Sequence, residues 1–66
     1  MMNTGLNLHV EAVVENAVYS DAAKYEVVTL MMKADIVTIR GTSVQVDQVE
    51  VTEDGLVRFH GRLVNL

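Results

Sequence analysis

The stretch VQVDQVEVTEDGLVRFHGRL, residues 44–63, decides how this chain folds. Apolar and polar residues alternate through Val44 and Val46, and again through Val49 and Val51, which is the period of a strand with one covered face. The restart at Asp47-Gln48 adds one residue and predicts a bulge or bend. Glu53-Asp54-Gly55 is the strongest turn signal in the chain. Asp-Gly between two alternating runs favours a tight hairpin, and glycine accepts positive φ. Beyond the turn, Val57, Phe59 and Leu63 fall on one face and Arg58, His60 and Arg62 on the other.

Working outward, Ile36-Val37-Thr38-Ile39-Arg40 predicts another strand, ended by Gly41. Gly41, Gly55 and Gly61 are the expected structural turn positions. Near the start, Leu6, Leu8, Val10 and Ala12 alternate with Asn7, His9 and Glu11. The alternation slips at Val13-Val14 and resumes, so residues 6–19 predict one strand carrying a bulge. β-branched valine suits strands better than helices.

Residues 20–35 admit two conformations. As a helix, Ser20 is the N-cap and Ala23, Val27, Leu30, Met31 and Ala34 form one apolar stripe. As a strand, residues 25–32 are apolar on both faces, as in a strand covered on both sides. Lys33-Ala34-Asp35 then connects to Ile36. Local pattern alone slightly favours the helix.

Composition narrows the function classes. The chain of 66 residues has no Cys, no Pro and no Trp, and carries thirteen Val against one Phe and two Tyr. Without Cys there is no disulfide scaffold, thiolate zinc site, iron–sulfur cluster or thiol nucleophile. Five Lys+Arg against nine Asp+Glu oppose broad phosphate-backbone binding. No apolar run approaches the ~18 residues of a membrane span, and the start lacks the pattern of a signal peptide. A cytoplasmic protein with no transmembrane segment is expected.

Candidate chemistry is sparse. His9 and His60 sit on polar phases without a companion ligand at metal-binding spacing, so solvated histidines are expected. Asp47, Glu50, Glu53 and Asp54 crowd the last hairpin without EF-hand spacing, and acidic turns have local hydrogen-bonding causes. Arg58, His60 and Arg62 form a short positive row open to a phosphate or an acidic partner. The competing expectation is a solvated face, or one paired across the hairpin with Glu50 and Thr52. Ser20 and Ser43 lie in no nucleophile elbow, and no phosphate loop is present. A catalytic pocket of ~300 Å³ or more is hard to build from so short a chain, so no enzyme, cofactor or metal is expected.

From Leu8 onward the residues resemble the YabP/YqfC family of sporulation proteins. The resemblance rests on the run Leu8-His9-Val10-Glu11-Ala12-Val13-Val14-Glu15 and on Ile39-Arg40-Gly41. It continues through the alternating Val44 to Val51, Gly55-Leu56-Val57 and Gly61-Arg62-Leu63-Val64, and is best over residues 36–66. It implies a small, mainly β accessory protein of sporulating cells, with no catalytic residues. It also moves residues 25–32 to strand, leaving a short helix within 20–34 as the alternative. Separately, Ile39-Arg40-Gly41-Thr42-Ser43-Val44 is similar to the ending of the second motif of Sm-like proteins. That similarity implies RNA contact through a loop carrying Arg40.

Together these observations predict one all-β (β-rich) domain over residues 1–66, with residues 1–5 disordered. Four to five antiparallel strands form a small sheet, sandwich or barrel. The expected apolar set is Leu8, Val10, Val27, Leu30, Ile36, Ile39, Val49, Val51, Val57, Phe59 and Leu63, with Val37 also covered. Chains below about 70–80 residues need a staple, and none is evident, so a homo-oligomer is expected. The expected function is a non-catalytic structural or interaction protein, acting by self-association or by binding another protein. The alternatives are Sm-like RNA binding through Arg40 and an accessory protein of a phage or mobile element. Binding residues, if any, are Arg40, Arg58, His60 and Arg62.

Overall fold

The final hairpin forms where Asp-Gly places it. Thr52 N–H donates to the Leu56 carbonyl at 2.9 Å, and Gly55 N–H donates to the Thr52 carbonyl at 3.0 Å. The Thr52 hydroxyl accepts from Leu56 N–H at 3.2 Å, and Gly55 adopts φ +88°. This is a three-residue loop closed by a glycine in the left-handed region.

The computed structural model describes residues 7–65, so the expectations for residues 1–5 and for Leu6 lie outside the described residues. The elements are β1 (Asn7–Val14), β2 (Ala17–Lys24), α1 (Tyr25–Met31), β3 (Ile36–Ile39), β4 (Thr42–Val51) and β5 (Val57–Leu63). The strands form one curled sheet, a half-barrel of order β2-β1-β5-β4-β3. All neighbours are antiparallel except β1 and β5, which run parallel with Val10 opposite Val57 and Ala12 opposite Phe59. The sheet is therefore mixed where antiparallel pairing is expected.

β4 carries the expected irregularity, a register shift between Val46 and Gln48. β3 and β4 join through Arg40-Gly41, both at positive φ, +52° and +77°. Gly41 and Gly55 are thus turn glycines. Gly61 is not: it lies within β5 opposite Val46. A Cβ there would collide with the Gln45 carbonyl oxygen, so the close approach of β5 to the bulged β4 requires glycine.

Two expectations fail in the first half. The slip at Val13-Val14 is not a bulge within one strand. The chain reverses at Glu15-Asn16 and Val14 pairs with Ala17. Two alternating strands joined by a two-residue turn mimic one strand whose alternation has slipped. Residues 25–31 form the short helix kept as the alternative within 20–34, in place of the strand expected over 25–32, and Ser20 lies in β2 rather than capping the helix. Lys24 is the N-cap and supplies no side-chain hydrogen bond.

The core lines the concave face. Val10, Ala12, Val37, Ile39, Val44, Val57 and Phe59 come from the sheet, and Val28 comes from α1. Phe59, the one Phe of the chain, is fully buried beside the small Ala12. Burying such a ring stabilises by roughly 1.5–3 kcal/mol. Val10, Val37, Ile39, Val57 and Phe59 are buried as expected, and Leu8 is half-buried against them.

Val27, Leu30, Ile36, Val49, Val51 and Leu63 are exposed instead. β3 has four residues and covers β4 only as far as Gln45, so the second half of β4 is itself a sheet edge and leaves Val49 and Val51 open. The helix phase is turned by one residue from the expected stripe, so Val28 faces the core in place of Val27.

The packing at Gly61 is directly testable. Gly61→Ala is expected to cost about 3 kcal/mol through overpacking against backbone. Gly55→Ala, with open space around its Cβ position, costs about 1 kcal/mol from its left-handed φ alone. Urea unfolding of the two variants measures both, and equal costs would contradict the close-approach role.

Candidate interaction surface

The cationic row predicted on β5 exists and is neutralised by its neighbours. Arg58, His60 and Arg62 lie on the convex face, where pairing brings Glu11 of β1 opposite Arg58 and Glu50 of β4 opposite the same residue. Arg58 Nε donates to Glu11 Oε1 at 3.0 Å. His60 Nε2 lies 2.8 Å from Glu50 Oε1, and an Arg58 guanidinium nitrogen lies 3.7 Å from the same oxygen. Arg62 sits 3.8 Å from Asp47, a long and exposed contact. Of the four acidic residues around the last hairpin, Glu50 and Asp47 are thus paired with β5 side chains, while Glu53 and Asp54 have no ion-pair partner among the described residues. Thr52, the other expected cross-hairpin partner, caps the turn instead.

Among the described residues, no group of three or more His, Asp or Glu could hold a metal ion. His9 stands exposed on the outer phase of β1. Arg40 occupies the exposed tip of the β3–β4 hairpin and has no ion-pair partner among the described residues. Its φ of +52° is a conformation that favours Gly or Asn. The structure therefore separates Arg40 from the Arg58–His60–Arg62 row instead of joining them in one patch.

A hollow of about 570 Å³ opens between β2 and the β3–β4 turn. It is lined by Tyr19, Gly41, Thr42, Ser43, Leu63, Val64 and Asn65, and Tyr19 is the one ionisable side chain among these described residues. No acid–base pair converges there, which leaves it without the groups that general catalysis uses.

A different surface is apolar. α1 follows β2 directly, packs against β1 and β2, and returns the chain to β3, an edge of the sheet. Between α1 and β3 runs a cleft of about 240 Å³ lined by Val27, Leu30, Met31, Ala34, Ile36, Val37 and Thr38. Leu30 is 67% exposed at its rim. Strand alternation leaves the backbone N–H and C=O groups of Ile36 and Thr38 facing away from β4, because Val37 and Ile39 are turned toward it. Apolar side chains beside unpaired strand backbone characterise surfaces that other chains join. This surface is not among the sequence-predicted site residues, since Val27, Leu30 and Ile36 read as core by periodicity.

Comparison with protein-family models, curated proteins and solved structures returns no match.

The convex cluster has a pH signature. The hydrogen bond from His60, aided by Arg58, holds the Glu50 carboxyl below its ordinary value of 4.5. A carboxyl depressed in the folded state contributes stability above its unfolded pKa, and the contribution is lost as pH falls through the folded value. Glu50→Gln is therefore expected to lower the melting temperature at neutral pH, and the gap to wild type closes as the solution is acidified below 4.5. A gap independent of pH would show that Glu50 acts by shape alone.

Proposed function

We propose that this chain is a non-catalytic interaction protein that works by self-association, with the α1–β3 surface as its contact region. The observation that carries the proposal is the apolar cleft under Leu30 beside a strand edge with free backbone groups. The size of the chain supports it. Eight of the described residues make up the buried core, and the sequence has no cysteine. A domain this small is marginal on its own, and covering exposed Leu30, Val27 and Ile36 by a second copy supplies the missing burial.

The sporulation setting and a cytoplasmic location belong to the same proposal. They are supported by the resemblance of residues 36–66; among the described residues no helix is long and apolar enough to cross a membrane. Expression confined to sporulating cells, with a spore defect on deletion, is the matching genetic signature.

Arg40 favours a second reading, RNA contact at the β3–β4 tip, because it is exposed and unpaired among the described residues. The net charge of -4 opposes it. Filter binding of short oligo(U) separates the two, with salt-sensitive retention lost in Arg40→Ala supporting RNA contact.

Sedimentation equilibrium tests the main proposal. A solution mass above the 7.3 kDa of one chain is expected at micromolar concentration. A stably folded monomer throughout that range would overturn it.

A further inference from the structure

Self-association leaves open which surface mates with which, and the helix carries an answer in its charge order. Glu26, Leu30 and Lys33 follow one another at i, i+4 and i+7, so they form a single ridge along the solvent side of α1. Lys33 lies just past the helix yet keeps its place on the ridge. Met32 retains a right-handed helical conformation, and Lys33 N–H donates to the Leu30 carbonyl at 3.1 Å. The ridge reads acidic, apolar, basic. Both charged ends are exposed, and neither Glu26 nor Lys33 has an ion-pair partner among the described residues.

A second ridge, Val27, Met31 and Ala34, has the same spacing and borders the cleft toward Ile36. Leu30 thus has a charge before it and a charge after it along its own ridge, and the apolar cleft on one flank.

An acidic–apolar–basic ridge is complementary to its own copy in antiparallel orientation. A two-fold axis beside Leu30 sets Glu26 against Lys33 of the other copy, and Lys33 against its Glu26. A two-fold axis perpendicular to both helices keeps each side of the ridge on the same side of the pair. The charges then meet charges, and the Val27–Ala34 side meets its apolar counterpart. A parallel copy would place like charges together. Resting on the self-association reading, we infer that α1 is the isologous interface of a homodimer, packed antiparallel against α1 of a second copy about Leu30 and locked by two reciprocal Glu26–Lys33 pairs.

Charge reversal in the full chain at low salt tests this, with sedimentation equilibrium for the dimer constant and circular dichroism for the fold. Glu26→Lys alone and Lys33→Glu alone each put two like-charged pairs in the interface and weaken dimerisation about tenfold. The double variant Glu26→Lys/Lys33→Glu restores it to within about threefold, because its pairs are re-formed with the signs exchanged. Leu30→Asp gives a monomer that keeps the circular dichroism spectrum of the fold but unfolds at lower urea concentration than the wild type, since Leu30 lies outside the core. Val51→Asp, a control at the free edge of β4, leaves the dimer constant unchanged.

If wild type is a dimer that Leu30→Asp and both reversals leave intact, or that Val51→Asp dissociates, the α1 interface is wrong and self-association stands. If wild type is a folded monomer at high micromolar concentration, both fall. A double variant as weak as the single ones also overturns the reciprocal pairing.

Discussion

The parallel contact between β1 and β5 is the constraint on which the rest of the molecule depends. The β1–β2 hairpin and the β3–β4–β5 meander are local structures that close through short turns. Only the pairing of Val10 with Val57 and Ala12 with Phe59 joins them into one sheet. It also sets the core, because these four side chains are the buried centre of the concave face. A parallel pair cannot be closed by a tight turn. Here the whole of β2, α1, β3 and β4 lies in the connection, and α1 crosses the half-barrel with Val28 turned inward.

Placing β1 and β5 in the middle forces β2 and β3 to the edges. β2 answers its exposure in part: the Asp21 carboxylate accepts from the Ala22 backbone N–H at 2.8 Å, a donor that antiparallel alternation turns toward the open side. β3 has no such device among the described residues, and it is the edge that α1 flanks with Leu30 and Val27. The convex face is occupied with itself through Glu11, Arg58, Glu50 and His60. The polar side of the sheet is thus satisfied within the chain, while an apolar side is left open where the helix meets the short edge strand.

Legibility in the sequence followed the range of the interactions. The last hairpin was readable because Asp-Gly and the alternating runs around it are local, and the extra residue at Asp47 showed directly as a bulge. Val57 and Phe59 were correctly placed inside, and Arg58, His60 and Arg62 outside, by the same alternation. The reversal at Glu15-Asn16 was not readable, since neither residue takes positive φ and no Gly or Pro marks it. The pairing of β1 with β5 is nonlocal and leaves no trace in periodicity. The resemblance points residues 25–32 to strand, against a local pattern that slightly favours helix, and residues 25–31 are helical. The exposed apolar surface on α1 is hidden for a related reason: Leu30 and Val27 obey the same spacing as core residues.

The central claim is that the apolar surface left open by this half-barrel is part of what stabilises it, through a second copy. Urea unfolding across a range of protein concentrations tests that directly. Unfolding coupled to dissociation predicts a midpoint that rises with concentration, by about 1.4 kcal/mol of apparent stability per tenfold increase. A midpoint that stays fixed across the range would contradict it.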